Sequence, residues 1–221
     1  MKAGPPVRAF MSGAVLILIG FSLGVAARPA IQSWTTRLKG SIAQNAEERK
    51  LTRTYLGKAA PPIETVSVSG TSFRLEQQHG KVVLLFFWAS WCSYSRAAIP
   101  EMKALAARYA DRDDFRIVGI SLDREREALT AYVQGTSIPG ENLFENGRSW
   151  QSSAARAYSI SSIPSRWVVD KEGRIRGVNL SEAETEDMLS LVLEGRHRRP
   201  VPATTIAPQT GGSGAAGCTG G

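Results

Sequence analysis

Residues 81–95 read KVVLLFFWASWCSYS, and the fold turns on how this stretch is read. Val82 to Trp88 is an unbroken run of apolar strand formers. A strand buried on both faces reads this way, which suits the centre of a parallel or mixed sheet. From Ser93 the period becomes helical, with Ile99, Met102, Leu105, Ala106 and Tyr109 on one face as far as Tyr109. Pro100 lies inside that helix and is expected to kink it. Cys92 stands where the strand hands over to the helix. The unpaired N–H groups of a helix N-terminus favour an anion, hence thiolate over thiol. A thiolate is the attacking species in disulfide exchange.

Working outward, Ile63–Val68 alternates apolar and polar residues, Ser69-Gly70 offers a turn, and Thr71–Leu75 returns as a second short strand. Phe115–Ser121 (FRIVGIS) reads as another central strand, and Asp123–Gln134 as a helix with Leu129 and Val133 inward. Trp150–Tyr158 is a short helix. Trp167–Asp170 and Ile175–Val178 form a hairpin across Lys171-Glu172-Gly173. Glu182–Glu194 closes the domain, with Met188, Leu189 and Val192 facing the sheet and acids in its first turns to complement the helix dipole. The order β-β-β-α-β-α-α-β-β-α predicts a three-layer α/β/α sandwich. No strand is followed by GxGxxG or GxxxxGK[ST], so nucleotide binding has no local support.

The chain has 221 residues, enough for one full-sized core. Two cysteines exclude a disulfide-rich scaffold and a four-cysteine zinc cluster, and the two histidines, His79 and His197, sit in no HxxH or HExxH pattern. No metal and no cofactor are expected. The net charge of +7 is carried largely by the ends. Residues 28–194 hold 22 basic and 20 acidic residues, so the middle is nearly neutral and nucleic acid is not an expected partner.

Residues 1–9 form a basic lead-in with Lys2 and Arg8, and residues 10–27 (FMSGAVLILIGFSLGVAA) are uncharged. As a helix this segment spans about 27 Å against a bilayer core of about 30 Å, so it reads as a membrane anchor or a cleaved signal peptide. Either places the domain outside the cytoplasmic membrane, on the periplasmic side, where disulfides persist. Residues 28–55 read as a stem, partly helical from Ser41 to Tyr55, and residues 56–195 as the folded domain. Residues 196–221 are rich in Pro, Gly, Ser and Thr, and are expected to be disordered, with Cys218 among them as an incidental thiol.

The chain resembles the thioredoxin-like redoxins of the TlpA/ResA type, within the AhpC/TSA-redoxin superfamily. The resemblance rests on Leu56-Gly57-Lys58-Ala59-Ala60-Pro61-Pro62, on Val68-Ser69-Gly70 through Leu75, on Gly80-KVVLLFFWASWC, on Pro100, and on Ile163-Pro164 with Trp167-Val168-Val169-Asp170 and Gly173. It implies a thioredoxin-like sandwich with a central mixed sheet and an N-terminal β-hairpin extension. It also implies a cis proline at Pro164 beside the active cysteine, with the Ile163 carbonyl and N–H offered to a substrate chain. Trp88, Trp91 and Tyr94 are expected to rim a shallow apolar groove for extended polypeptide. Arg96 and Arg166 are expected to be solvated.

The sequence departs from the family at the motif itself. The usual CxxC is Cys92-Ser93-Tyr94-Ser95 here. A Ser95 hydroxyl can donate a hydrogen bond to a Cys92 thiolate, but it cannot resolve a mixed disulfide. The buried acid of thioredoxins proper falls at Phe86, and the PxxxTxxC pattern of peroxidatic cysteines meets Leu85 and Ala89. The expected function is therefore exchange by a monomeric monothiol redoxin. Cys92 acts on protein or small-molecule disulfides and thiols, and an outside thiol resolves the product in isomerase-like or deglutathionylation-like chemistry. Two alternatives stay open. In one, Cys218 is the resolving thiol: about 23 residues of tether at ~3.3 Å each reach the site easily, at an effective concentration of about millimolar. In the other, the domain is a non-catalytic interaction or assembly module.

Overall fold

In a computed structural model of the chain, residues 46–196 and 218–219 are described. The basic lead-in, the 10–27 segment and most of the expected stem and tail lie outside these residues. Residues 46–55 are helical (α1). There follow β1 (Glu64–Ser67), β2 (Ser72–Arg74), β3 (Val82–Trp88), α2 (Ser93–Arg108), β4 (Phe115–Ser121), α3 (Arg126–Thr136), β5 (Glu141–Phe144), α4 (Ser153–Ala157), β6 (Ser162–Ile163), β7 (Ser165–Val169), β8 (Ile175–Gly177), α5 (Glu182–Leu193) and β9 (Cys218–Thr219).

The main sheet runs β2-β1-β5-β4-β3-β7-β8. β3, β4 and β5 are parallel, while β7, β8 and the β1–β2 hairpin join antiparallel. This is the expected mixed sheet with its hairpin extension. Strand periodicity sorts β3 between two cores. Val83, Leu85 and Phe87 face a cluster with Tyr158, Ile163, Trp167 and Cys92. Val82, Leu84, Phe86 and Trp88 face the other, built with Ile99, Met102 and Leu105 of α2, Leu129 of α3, and Leu189 and Val192 of α5. Every β3 residue is buried. Full burial on both faces explains why the run shows no polar alternation.

The sequence reading misses one element of the main sheet. β5 pairs in parallel with β4 (Val118↔Glu141 to Ser121↔Phe144) and antiparallel with β1, so it links the hairpin to the central strands. Only four residues long, it offers no readable period. Gly140 just before it has φ +78°, and a Cβ there would run into the Ile117 carbonyl oxygen, so that position takes glycine alone. At the other end of the domain, α5 starts with a capping box: Ser181 Oγ accepts the Glu184 N–H, and Glu184 Oε2 accepts the Ser181 N–H at 2.8 Å.

Two residues of the expected tail depart from the reading made for them. Cys218–Thr219 form a strand that pairs antiparallel with β6, with Ser162 opposite Thr219 and Ile163 opposite Cys218. Intrinsic preference has little part in this: a covalent bond holds the segment there.

Candidate functional site

Cys92 is the N-cap of α2, in an extended conformation (φ −85°, ψ 117°). Its N–H donates to the Ala89 carbonyl at 3.2 Å, and its carbonyl accepts the Arg96 N–H at 3.0 Å as the first turn of the helix closes. No side chain caps this end, so Cys92 stands at the positive pole of the helix dipole. The opposite wall is the Ile163–Pro164 peptide, which is cis. Cys92 Sγ lies 3.7 Å from the Ile163 carbonyl oxygen. The sulfur carries no proton, because Cys92 and Cys218 form a disulfide with a Cα–Cα distance of 6.1 Å. Cys218 is therefore no incidental thiol. It is brought across 126 residues of chain to the N-terminus of α2. Cys92 is fully buried, whereas Cys218 is only partly covered.

The strand-to-helix loop is anchored from β4. The Asp123 carboxylate, itself buried, accepts the Ser90 N–H at 3.0 Å, the Ser90 hydroxyl at 2.6 Å and the Ser121 hydroxyl at 2.7 Å. The sequence reading passes over Asp123. Its signal is its place just beyond the carboxyl end of a parallel strand, where α/β sheets gather functional groups.

Ser95 is buried, and its hydroxyl accepts the Ala89 N–H at 3.4 Å, so it braces the loop from inside the helix. Trp91 and Tyr94, on either side of Cys92 in the sequence, are exposed at 47% and 46%. Trp88 is not part of the expected rim. It is fully buried on the other face of the sheet, stacked on Phe86 at 6.3 Å and tilted against Tyr132 at 6.0 Å. The reason is parity: Trp88 is one residue out of phase with Phe87, which faces the cysteine's cluster.

Arg166 is also reassigned. It is buried, not solvated, and forms an ion pair with Glu101 of α2 at 2.5 Å, its guanidinium 5.9 Å from the centre of the Phe86 ring. Burial pushes the Glu101 carboxyl above its ordinary value, and Arg166 opposes that rise. Arg96 behaves as expected of a surface residue, with one long contact from Nη1 to the Ser90 carbonyl at 3.4 Å. Among the described residues no group of three or more His, Cys, Asp or Glu side chains is placed to hold a metal.

The chain is similar to thioredoxin-like proteins and thiol-disulfide oxidoreductases. The thioredoxin-like protein YneN of Bacillus subtilis is 25% identical over 135 residues, 60% of this chain and 75% of that protein. The thiol-disulfide oxidoreductase ResA of Bacillus cereus is 23% identical over 133 residues, 60% of this chain and 74% of that protein. Among solved structures, a thiol-disulfide oxidoreductase from Bacteroides fragilis superposes with a TM-score of 0.56 at 28% identity, covering 61% of this chain and 99% of the other. The AhpC/TSA family model matches residues 56–178, more than half the chain, and the chain belongs to the AhpC/TSA family with a thioredoxin-like fold.

Proposed function

We propose that this chain is a thiol-disulfide oxidoreductase in which Cys92 is the nucleophile and Cys218 the resolving thiol. The observation that carries this reading is the Cys92–Cys218 disulfide at the N-terminus of α2, set against the backbone of Ile163. In the reduced form, the Cys92 thiolate attacks a substrate disulfide and expels one substrate sulfur as thiolate. A mixed disulfide on Cys92 results. The Cys218 thiolate then attacks Cys92 Sγ and expels the second substrate sulfur. The substrate gains two electrons, and the protein ends as the disulfide. In a two-cysteine cycle of this kind, Cys218 takes the role of the second motif cysteine for which Ser95 stands, so no outside thiol is needed for resolution. Trp91 and Tyr94 supply apolar contact beside the sulfur. The cis Ile163–Pro164 segment offers its backbone to an extended substrate, along the same edge that β9 uses.

The composition of residues 1–27 supports a domain held outside the cytoplasmic membrane, by an anchor or after signal cleavage. Among the described residues no helix is long and apolar enough to cross a membrane, and residues 10–27 lie outside them. N-terminal sequencing of the mature protein distinguishes anchor from cleaved signal.

The test of the chemistry is turnover of a peptide disulfide by the full chain with a dithiol reductant. Cys92→Ala is expected to abolish it. Cys218→Ala is expected to lower it at least tenfold, since a tenfold effect corresponds to only about 1.4 kcal/mol in the barrier, and to leave a mixed disulfide on Cys92 visible on a non-reducing gel. Unchanged turnover without Cys218 removes its resolving role. Unchanged turnover without Cys92 removes the whole reading.

A further inference from the structure

The two sulfurs of the closed form differ in access and in surroundings. Cys92 has no exposed surface and packs among Ala89, Ile163 and the apolar cluster on its face of the sheet. Cys218 packs against the same cluster but is partly exposed, on the two-residue strand β9. In the closed form an incoming thiol finds exposed surface at Cys218 and none at Cys92.

The leaving group points the same way. Attack on Cys218 expels Cys92 as a thiolate at the uncapped N-terminus of α2, where helix N–H groups stabilise the negative charge. Attack on Cys92 would instead expel a Cys218 thiolate, which sits at no helix end. A better-stabilised thiolate leaves faster.

We infer that the thiol that reopens the oxidised protein enters at Cys218, so that substrate disulfides and the incoming reductant use different sulfurs. This rests on the Cys92–Cys218 cycle proposed above. The co-reactant is a dithiol. Its first thiolate bonds to Cys218 Sγ as the Cys92–Cys218 bond breaks and Cys92 leaves. Its second thiolate attacks the reductant's own sulfur in that mixed disulfide and expels Cys218. The reductant becomes a disulfide and the protein a dithiol. The two protons the reductant gives up pass to the protein's two sulfurs or to solvent. A reductant entering here does not have to fit the cis-proline strand, because β9 covers that strand in the closed form.

The experiment is a brief exposure of the oxidised full chain to glutathione, used as a monothiol probe. Alkylation with N-ethylmaleimide follows, then peptide mapping without reduction. Glutathione on Cys218 with maleimide on Cys92 is expected in at least tenfold excess over the reverse pattern. Comparable yields, an excess on Cys92, or reduction with no Cys218 adduct at any time point overturns the inference while leaving the two-cysteine cycle intact. Absence of the Cys92–Cys218 disulfide from the map of the starting oxidised protein overturns the cycle itself, and the inference with it.

Discussion

Ile163 and Cys218 face each other across β6 and β9, and the carbonyl of the same Ile163 lies 3.7 Å from the sulfur of Cys92. One residue of the cis-proline loop thus meets both halves of the disulfide, one through strand pairing and the other through close approach. Cys218 and Thr219 lie along β6 in a defined register.

That pairing has a measurable weight. A variant ending at Cys218 keeps the sulfur but loses Thr219 and its place opposite Ser162. A backbone hydrogen bond contributes about 0.5–1.5 kcal/mol net, and 30 mV corresponds to about 1.4 kcal/mol for a two-electron couple. Pairing favours the oxidised form, so its loss is expected to raise the midpoint potential by about 10–30 mV. Equilibration against a glutathione redox buffer measures this, and an unchanged midpoint means the β6–β9 contact does not favour the disulfide.

Asp123 holds the Ser90 segment that leads into Cys92. Asp123→Ala strands three donors and removes charge-assisted bonds, with an expected stability loss of about 2–3 kcal/mol in denaturant titration. Slower opening of the disulfide by glutathione is expected alongside it, and Asp123→Asn, which keeps one acceptor, is expected to recover part of both. A full-speed Asp123→Ala variant would show that the loop positions Cys92 without this carboxylate.

The Glu101–Arg166 pair joins α2 to β7, the strand that follows the cis proline. Removing one partner leaves a buried charge without its counter-ion. Glu101→Ala is therefore expected to cost about 3–5 kcal/mol, while the double replacement Glu101→Leu with Arg166→Met returns most of it. A double variant as unstable as the single one contradicts this account.

Asp114 contributes to stability on the acid side. Arg112 donates to it through two bonds of 2.8 Å and Lys171 through one of 2.7 Å, and together they hold its carboxyl well below its ordinary value of 3.8. The folded state therefore binds this proton less tightly than the unfolded chain. The contribution is present above about pH 4 and is lost as pH falls below it. Both cations are more than a third exposed, so solvent screening limits the effect to about 1 kcal/mol or less. Asp114→Asn is expected to flatten the fall in stability between about pH 4 and 2 by that amount.

Much of this molecule is legible in its sequence, and the misreadings have physical causes. β3, α2, β4 and α5 carry long apolar patterns, and their observed spans lie within a residue or two of the expected ones. β5 hides because four residues cannot display a period. Trp88 and Arg166 share one cause. Phe86 stands directly opposite Arg166, and both point to the face away from Cys92. Alternation tells which residues of a strand go together, but it does not tell which face receives the cysteine beyond its end. That depends on the turn through Ala89, Ser90 and Trp91, which Asp123 secures from another strand. The tail strand is the least legible part. Glycine, threonine and serine around Cys218 carry no strand pattern, and a covalent bond fixes what local preference cannot.

The 126-residue span between Cys92 and Cys218 gives the oxidised chain a different covalent topology from the reduced one. Denatured without reductant, it is a closed ring over most of the folded domain and migrates ahead of the linear form in a gel. A protease nick anywhere inside the ring leaves the fragments joined until a thiol is added. The electron count of each molecule is thereby written into its hydrodynamic size.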